Sequence, residues 1–145
     1  MACVIRQAEP GDAETIADLV RELARGEGEE SPVTAEYVGS YLGFPGSAVL
    51  IAQEGARPVG MLSYSCRPGL YHAGSSVLIE ELVVREGARG RGIGGALMDE
   101  LVRRAAALGC AEVSVSTMPD NARAIAFYRR HGFEDEALLL EKHLD

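Results

Sequence analysis

The chain has 145 residues, 47% of them apolar and 25% charged, which is the composition of one globular domain in water. With 22 acidic against 14 basic residues its formal net charge is −8, which argues against a nucleic-acid partner, because phosphate binding needs a basic face. No apolar run approaches the ~18 residues of a membrane span, and Met1-Ala2-Cys3-Val4-Ile5-Arg6 lacks the form of a signal peptide.

A single domain over 1–145 is expected, since no repeat, low-complexity tract or linker divides the chain. Cys3, Cys66 and Cys110 show no paired spacing, which fits a reducing cytoplasm and offers neither a disulfide framework nor a metal site.

Cys3-Val4-Ile5-Arg6-Gln7-Ala8 reads as a short strand. Pro10-Gly11-Asp12 then opens a helix with Ile16, Leu19, Val20 and Leu23 at helical spacing, ended by Gly26 and Gly28. The acidic loop Glu27-Gly28-Glu29-Glu30 leads to a short helix from Thr34 to Leu42. Ala48 to Ala52 and Val59 to Ser65 read as a hairpin about the turn Glu54-Gly55-Ala56-Arg57-Pro58, and Ser76 to Val84 as the next strand. A helix follows from Gly92 to Leu108, with Leu97, Leu101, Val102 and Ala105 as its apolar face and Gly109 as its cap. Glu112 to Thr117 is a strand, Asn121 to His131 a helix closed by Gly132, and Phe133 with Ala137 to His143 a last strand. The order β-α-α-β-β-β-α-β-α-β predicts an α/β fold, one mixed sheet with helices on its faces.

The sharpest signal is the turn Arg89-Gly90-Arg91-Gly92-Ile93-Gly94-Gly95, between a strand and a well-patterned helix. Four glycines remove side chains where backbone amides must approach an anion, and the helix start adds unpaired N–H groups and partial positive charge. Arg85, Arg89 and Arg91 face only Glu86 locally. A plain tight turn needs one or two glycines, so a phosphate or pyrophosphate site is the reading. Gly90-x-Gly92-x-x-Gly95 also matches the dinucleotide fingerprint, but there the glycines follow the first strand of a βαβ unit directly. Here Arg85 to Arg89 intervene, and the strand closes an antiparallel meander.

Arg89-Gly90-Arg91-Gly92-Ile93-Gly94 resembles the Gln/Arg-x-x-Gly-x-Gly/Ala acetyl-CoA motif of the GNAT acetyltransferase superfamily. Ile79-Glu80-Glu81-Leu82-Val83-Val84 is similar to its preceding strand, and Asn121 to Phe133 to its downstream helix and turn. The resemblance implies a mostly antiparallel sheet flanked by about four helices and an acetyl-CoA-dependent N-acetyltransferase. It further implies that backbone groups of Leu82, Val83 and Val84 bind the pantetheine arm and acetyl carbonyl, while Arg89, Gly90, Arg91, Gly92, Ile93, Gly94 and Gly95 hold the pyrophosphate. Asn121, Ala124 and Tyr128 share one stripe of the last helix; the resemblance implies that the first two face the cofactor and that Tyr128 assists the departing thiol. Glu80 is the expected base, because strand alternation puts it on the face of Leu82 and Val84 and sends Glu81 to the opposite one.

The acceptor stays open between a small cationic amine (polyamine-like, amino acid or aminoglycoside) and a protein amine. Leu19 to Glu30 is similar to the corresponding part of spermidine/spermine and thialysine acetyltransferases, where Glu27, Glu29 and Glu30 could grip a cation or simply be solvated. No metal is implied, and a homodimer is plausible by resemblance. The alternative is a non-catalytic acyl-CoA-binding sensor or regulatory module.

Overall fold

Three apolar segments pair into the antiparallel meander at the centre of the computed structural model, which describes residues 3–135 and 137–144. Met1, Ala2, Glu136 and Asp145, part of the single domain expected over 1–145, lie outside the described residues. The meander is β2 (Ser47–Glu54), β3 (Arg57–Gly69) and β4 (Gly74–Val84). β1 (Cys3–Gln7) pairs antiparallel with β2, and β5 (Glu112–Val115) pairs parallel with β4, giving the sheet order β1-β2-β3-β4-β5. β2 is apolar without alternation because both of its faces are covered. Leu50 and Ala52 pack on one side of the sheet, Val49 and Ile51 on the other.

The helices divide accordingly. α1 (Ala13–Gly26) and α2 (Ala35–Gly43) bury Ile16, Leu19 and Val38 against Ile51, Met61 and Val83. On the opposite face α3 (Ile93–Ala107) buries Leu97, Met98 and Leu101 against Leu50, Leu62, Val77 and Ile79. Each such side chain contributes roughly 1.5–3 kcal/mol. α4 (Ala122–Arg130) lies on the α3 side, with Phe127 and Tyr128 packed against that cluster.

The N-terminal strand is tied to α1 by charge. Arg6 makes two hydrogen bonds of 2.8 Å to the Asp12 carboxylate, which also accepts from the Glu9 amide at 2.8 Å. The Arg6 guanidinium accordingly holds the Asp12 carboxyl below its ordinary value. Thr34 caps α2 by accepting from the Tyr37 amide at 3.1 Å.

Three expectations are corrected. Residues 137–144 form no strand; Leu138, Leu139, Leu140 and Leu144 are exposed. Three consecutive leucines followed by Glu141-Lys142 lack the alternation that seats a half-buried strand. Val102 is exposed, and the buried stripe of α3 is Ile93, Leu97, Met98, Leu101 and Ala105. The two strands read as Val59 to Ser65 and Ser76 to Val84 run further than that: β3 and β4 stay paired to Gly69↔Gly74, leaving only the tip between them. Among the described residues no helix is long and apolar enough to cross a membrane, and no three His, Cys, Asp or Glu cluster as a metal site would require.

Candidate active site

β4 carries an irregularity at the centre of the site. Ser63 pairs with Glu81 but the next residue, Tyr64, pairs with Ile79, so Glu80 is an extra residue in the ladder. Such a bulge shifts the facing of everything beyond it. Val77 and Ile79 face α3, as do Leu82 and Val84; Val83 faces α1 and α2. Glu80 and Glu81 therefore both line one cavity on the α1–α2 side. Glu81 points away from the face of Leu82 and Val84, as expected, but Glu80 joins it there, which corrects the expectation that Glu80 shares the face of Leu82 and Val84. Alternation fails because the bulge consumes one residue.

That cavity, about 490 Å3, is bounded by α1, α2, the segment 31–34 and the sheet. Ser63 donates its hydroxyl to Glu81 and accepts from the Glu81 amide at 3.0 Å, which pins the carboxylate in place. Burial pushes the Glu81 carboxyl up, opposed by the Ser63 bond and reinforced by the neighbouring charge of Glu80. Glu80 is exposed and accepts from Ser65 Oγ at 3.1 Å. Tyr41 donates its hydroxyl to the Tyr64 carbonyl at 3.3 Å. Its phenol is pushed up to about 12 by burial and then by the two glutamates, so it stays neutral.

β5 leaves β4 early. Their pairing ends at Ile79↔Val115, so among the described residues β4 from Glu80 to Val84 has β3 on one side and no strand on the other. The Arg85 amide donates to Val59 O at 2.8 Å. By alternation Val83 also directs its N–H and C=O to β3, whereas those of Leu82 and Val84 face the open edge. Of the three backbone positions expected to serve a ligand, two are so placed and Val83 is not.

The glycine turn follows. Gly90 and Gly92 take φ of +81° and +77°, the left-handed region that glycine enters at least cost. Gly92 caps α3 without a side chain, and the first helical bond runs from Ala96 N to Gly92 O at 3.0 Å. The amides of Ile93, Gly94 and Gly95 thus have no helical acceptor. Gly94 and Gly95 also lie beside α4: a methyl group at Gly94 would touch the Phe127 ring at 3.6 Å, and one at Gly95 would touch His131 at 3.5 Å. Both are ordinary contact distances, so α4 packs closely beside these two glycines without requiring them.

The arginines divide. Arg91 is bound back to Glu54 at 3.2 Å and to the Gly87 carbonyl at 3.3 Å. Arg89 donates Nε to Val84 O at 3.1 Å, and its guanidinium has no acid partner among the described residues. It lines a cleft of about 580 Å3 together with Arg25, Arg57 and the Arg85–Glu22 pair.

On α4, Asn121 caps the helix by accepting from the Ala124 amide at 3.1 Å, so that amide is not free for a ligand. Tyr128 is half-buried and packs edge-on against Phe127 and Phe133, with ring centres 5.4 and 5.8 Å away. Burial pushes its phenol up. Tyr128 and the glutamates therefore lie on opposite faces of the sheet. Tyr37, Tyr41 and Ser63 are cavity residues that sequence reasoning missed. The i, i+4 spacing of the two tyrosines on α2 was the available signal. Glu27, Glu29 and Glu30 are exposed and do not line the cavity.

The family model described as acetyltransferase (GNAT) family matches residues 14–133. The chain is 26% identical over 147 aligned positions to the thialysine N-epsilon-acetyltransferase of Bos taurus, spanning 91% of this chain and 84% of that protein. It is 28% identical over 142 positions to the aminoalkylphosphonate N-acetyltransferase of Salmonella typhimurium, spanning 98% and 92%. Among solved structures, a protein described as a transcriptional regulator from Bacillus halodurans C-125 superposes with a TM-score of 0.87 at 27% identity, covering 99% of this chain and 100% of that one.

Proposed function

The chain belongs to the acetyltransferase (GNAT) family and is an N-acetyltransferase, and we propose that it carries acetyl from acetyl-CoA directly to the primary amine of a small molecule along the open edge of β4. One observation carries this reading: among the described residues β4 from Glu80 to Val84 keeps β3 on one edge and has no strand on the other, between a cavity holding two carboxylates and an arginine-flanked glycine turn. That edge and turn fit an extended arm ending in a pyrophosphate. When bound, acetyl-CoA supplies an acetyl group on a thioester.

Leu82 and Val84 pair with the arm through their backbone groups, as a β-sheet edge pairs with an added strand. The amides from Gly90 to Gly95 and the free guanidinium nitrogens of Arg89 take the phosphates, with Arg91 held at their flank by Glu54. Asn121 and Ala124 line the α4 side of the arm.

An alkyl ammonium with a pKa near 10.4 has no lone pair to attack with, and deprotonating it at neutral pH costs roughly 4–5 kcal/mol. Glu81 takes that proton. Its raised carboxyl is a closer match to the amine than an ordinary glutamate, and Ser63 keeps it oriented. Glu80, exposed on the same cavity, passes the proton to solvent rather than acting as the first base. From the other face Tyr128 Oη donates a hydrogen bond to the leaving sulfur. Burial of its phenol favours that bond over full proton release. Cytoplasmic residence, expected from the three cysteines without paired spacing, and homodimerisation, expected from the family resemblance, belong to this proposal.

Hydrogen exchange with and without acetyl-CoA tests the placement. The amides of Leu82, Val84 and Gly90 to Gly95 are expected to slow on binding while those of β1 and β2 stay unchanged. Binding without protection there would sink this reading of the β4 edge.

A further inference from the structure

With Glu80 and Glu81 taken as the amine end of the cavity, a reading on which the identity of the acceptor rests, the remaining lining defines the body that the amine carries. Both carboxylates sit at one place on β4. The rest of the lining is mostly apolar, Val20, Val38 and Met61 with the rings of Tyr37 and Tyr41, and its further polar groups, Ser31, Thr34 and Ser63, are uncharged. Among the described residues no arginine, lysine or histidine lines the cavity, and no third acid does. The acidic side chains Glu27, Glu29 and Glu30 are exposed and are not part of its lining.

Three acceptor classes fare differently in such a space. A polyamine or aminoglycoside would set its further ammonium groups against aliphatic walls, where an unpaired charge is costly to desolvate. An amino acid or aminophosphonate would bring an anion beside two carboxylates with no cation to receive it. A monoamine on a neutral apolar body meets neither difficulty: its ammonium pairs with the glutamates and its body fills the apolar walls. The volume, about 490 Å3, lies within the range of pockets that enclose small ligands. We infer that the acceptor is a primary monoamine on an aromatic or branched aliphatic body, seated with its nitrogen at Glu81 and its body between α1 and α2.

Thiol release at saturating acetyl-CoA, with phenethylamine, spermidine, lysine and 2-aminoethylphosphonate as acceptors, tests this directly. The kcat/KM for phenethylamine is expected to exceed each of the others by about tenfold or more, the scale set by desolvating an unpaired charge. A charged acceptor that matches or beats phenethylamine overturns the inference and leaves acetyl transfer standing. No thiol release from any of the four by protein that binds acetyl-CoA overturns the amine-cavity reading itself. Val20→Asp, placing an acid on the apolar wall, is expected to move the spermidine to phenethylamine ratio up by about tenfold with an unchanged KM for acetyl-CoA. An unmoved ratio in the folded variant counts against the seat between the helices.

Discussion

Glu81 owes its chemistry to where one side chain is buried. Because burial is the larger influence on its carboxyl, it ionises above the ordinary value of 4.5. As a base it must be ionised, so kcat/KM should rise with pH along an acidic limb displaced upward from that of a free glutamate. Glu81→Gln is expected to lower kcat by about a hundredfold and remove the limb, with the KM for acetyl-CoA unchanged. Glu80→Gln should cost less than about tenfold, and equal losses would return the first proton transfer to Glu80. Stability runs the other way. A carboxyl raised in the fold contributes stability that is complete below the unfolded value and lost as pH rises through the folded one. At neutral pH Glu81→Gln therefore keeps or raises the Tm, which separates a lost base from a damaged fold. Tyr128→Phe keeps the rings packed against Phe127 and Phe133 and removes only the hydroxyl. Turnover should fall by about tenfold or more while the KM for acetyl-CoA stays within about twofold. Unchanged turnover removes Tyr128 from the reaction.

At the level of elements, β1 is a five-residue edge strand with one neighbour, and Arg6–Asp12 fastens it to the start of α1. Asp12→Asn deletes the charge while keeping the shape, and is expected to cost about 1–2 kcal/mol at pH 7. Since the Asp12 carboxyl is held below 3.8, its contribution is present above that value and lost as pH falls through the folded one. The difference in Tm between wild type and variant should shrink in acid below pH 3.8. A gap that persists there would place the effect elsewhere than in this charge. The elements themselves were largely legible, because β2, α1 and α3 each carry a dense apolar period and α2 a cap at Thr34. What was not legible depended on two segments at once. The bulge at Glu80 is a mismatch between β3 and β4, so alternation along β4 alone assigned both glutamates to the wrong relation. That Phe127 and His131 pack beside Gly94 and Gly95 was not legible either, because they lie more than thirty positions on. The last strand was read from Leu138, Leu139 and Leu140, which are exposed in the structure.

Across the whole molecule, charge is sorted along β4. The net charge is −8, yet Arg85 and Arg89 stand at its end with Arg25 and Arg57 across the cleft, and Glu80 and Glu81 stand at the bulge. An anionic donor therefore meets local attraction inside a repulsive field, whereas a cationic acceptor meets attraction from both. Raising salt from about 20 mM to about 300 mM shortens the screening length from about 20 Å to about 6 Å. For the amine this removes the long-range attraction of the whole protein, and its KM should rise about threefold to fivefold. For acetyl-CoA the loss of arginine attraction and the relief of net repulsion oppose each other, so its KM should change by less than about twofold. Measuring both constants across that range discriminates the two fields. If the KM for acetyl-CoA climbs as steeply as that for the amine, the arginines act without opposition from the rest of the molecule. An amine KM that ignores salt would mean that the glutamates act only on contact, and that net charge has no part in bringing the acceptor to the cavity.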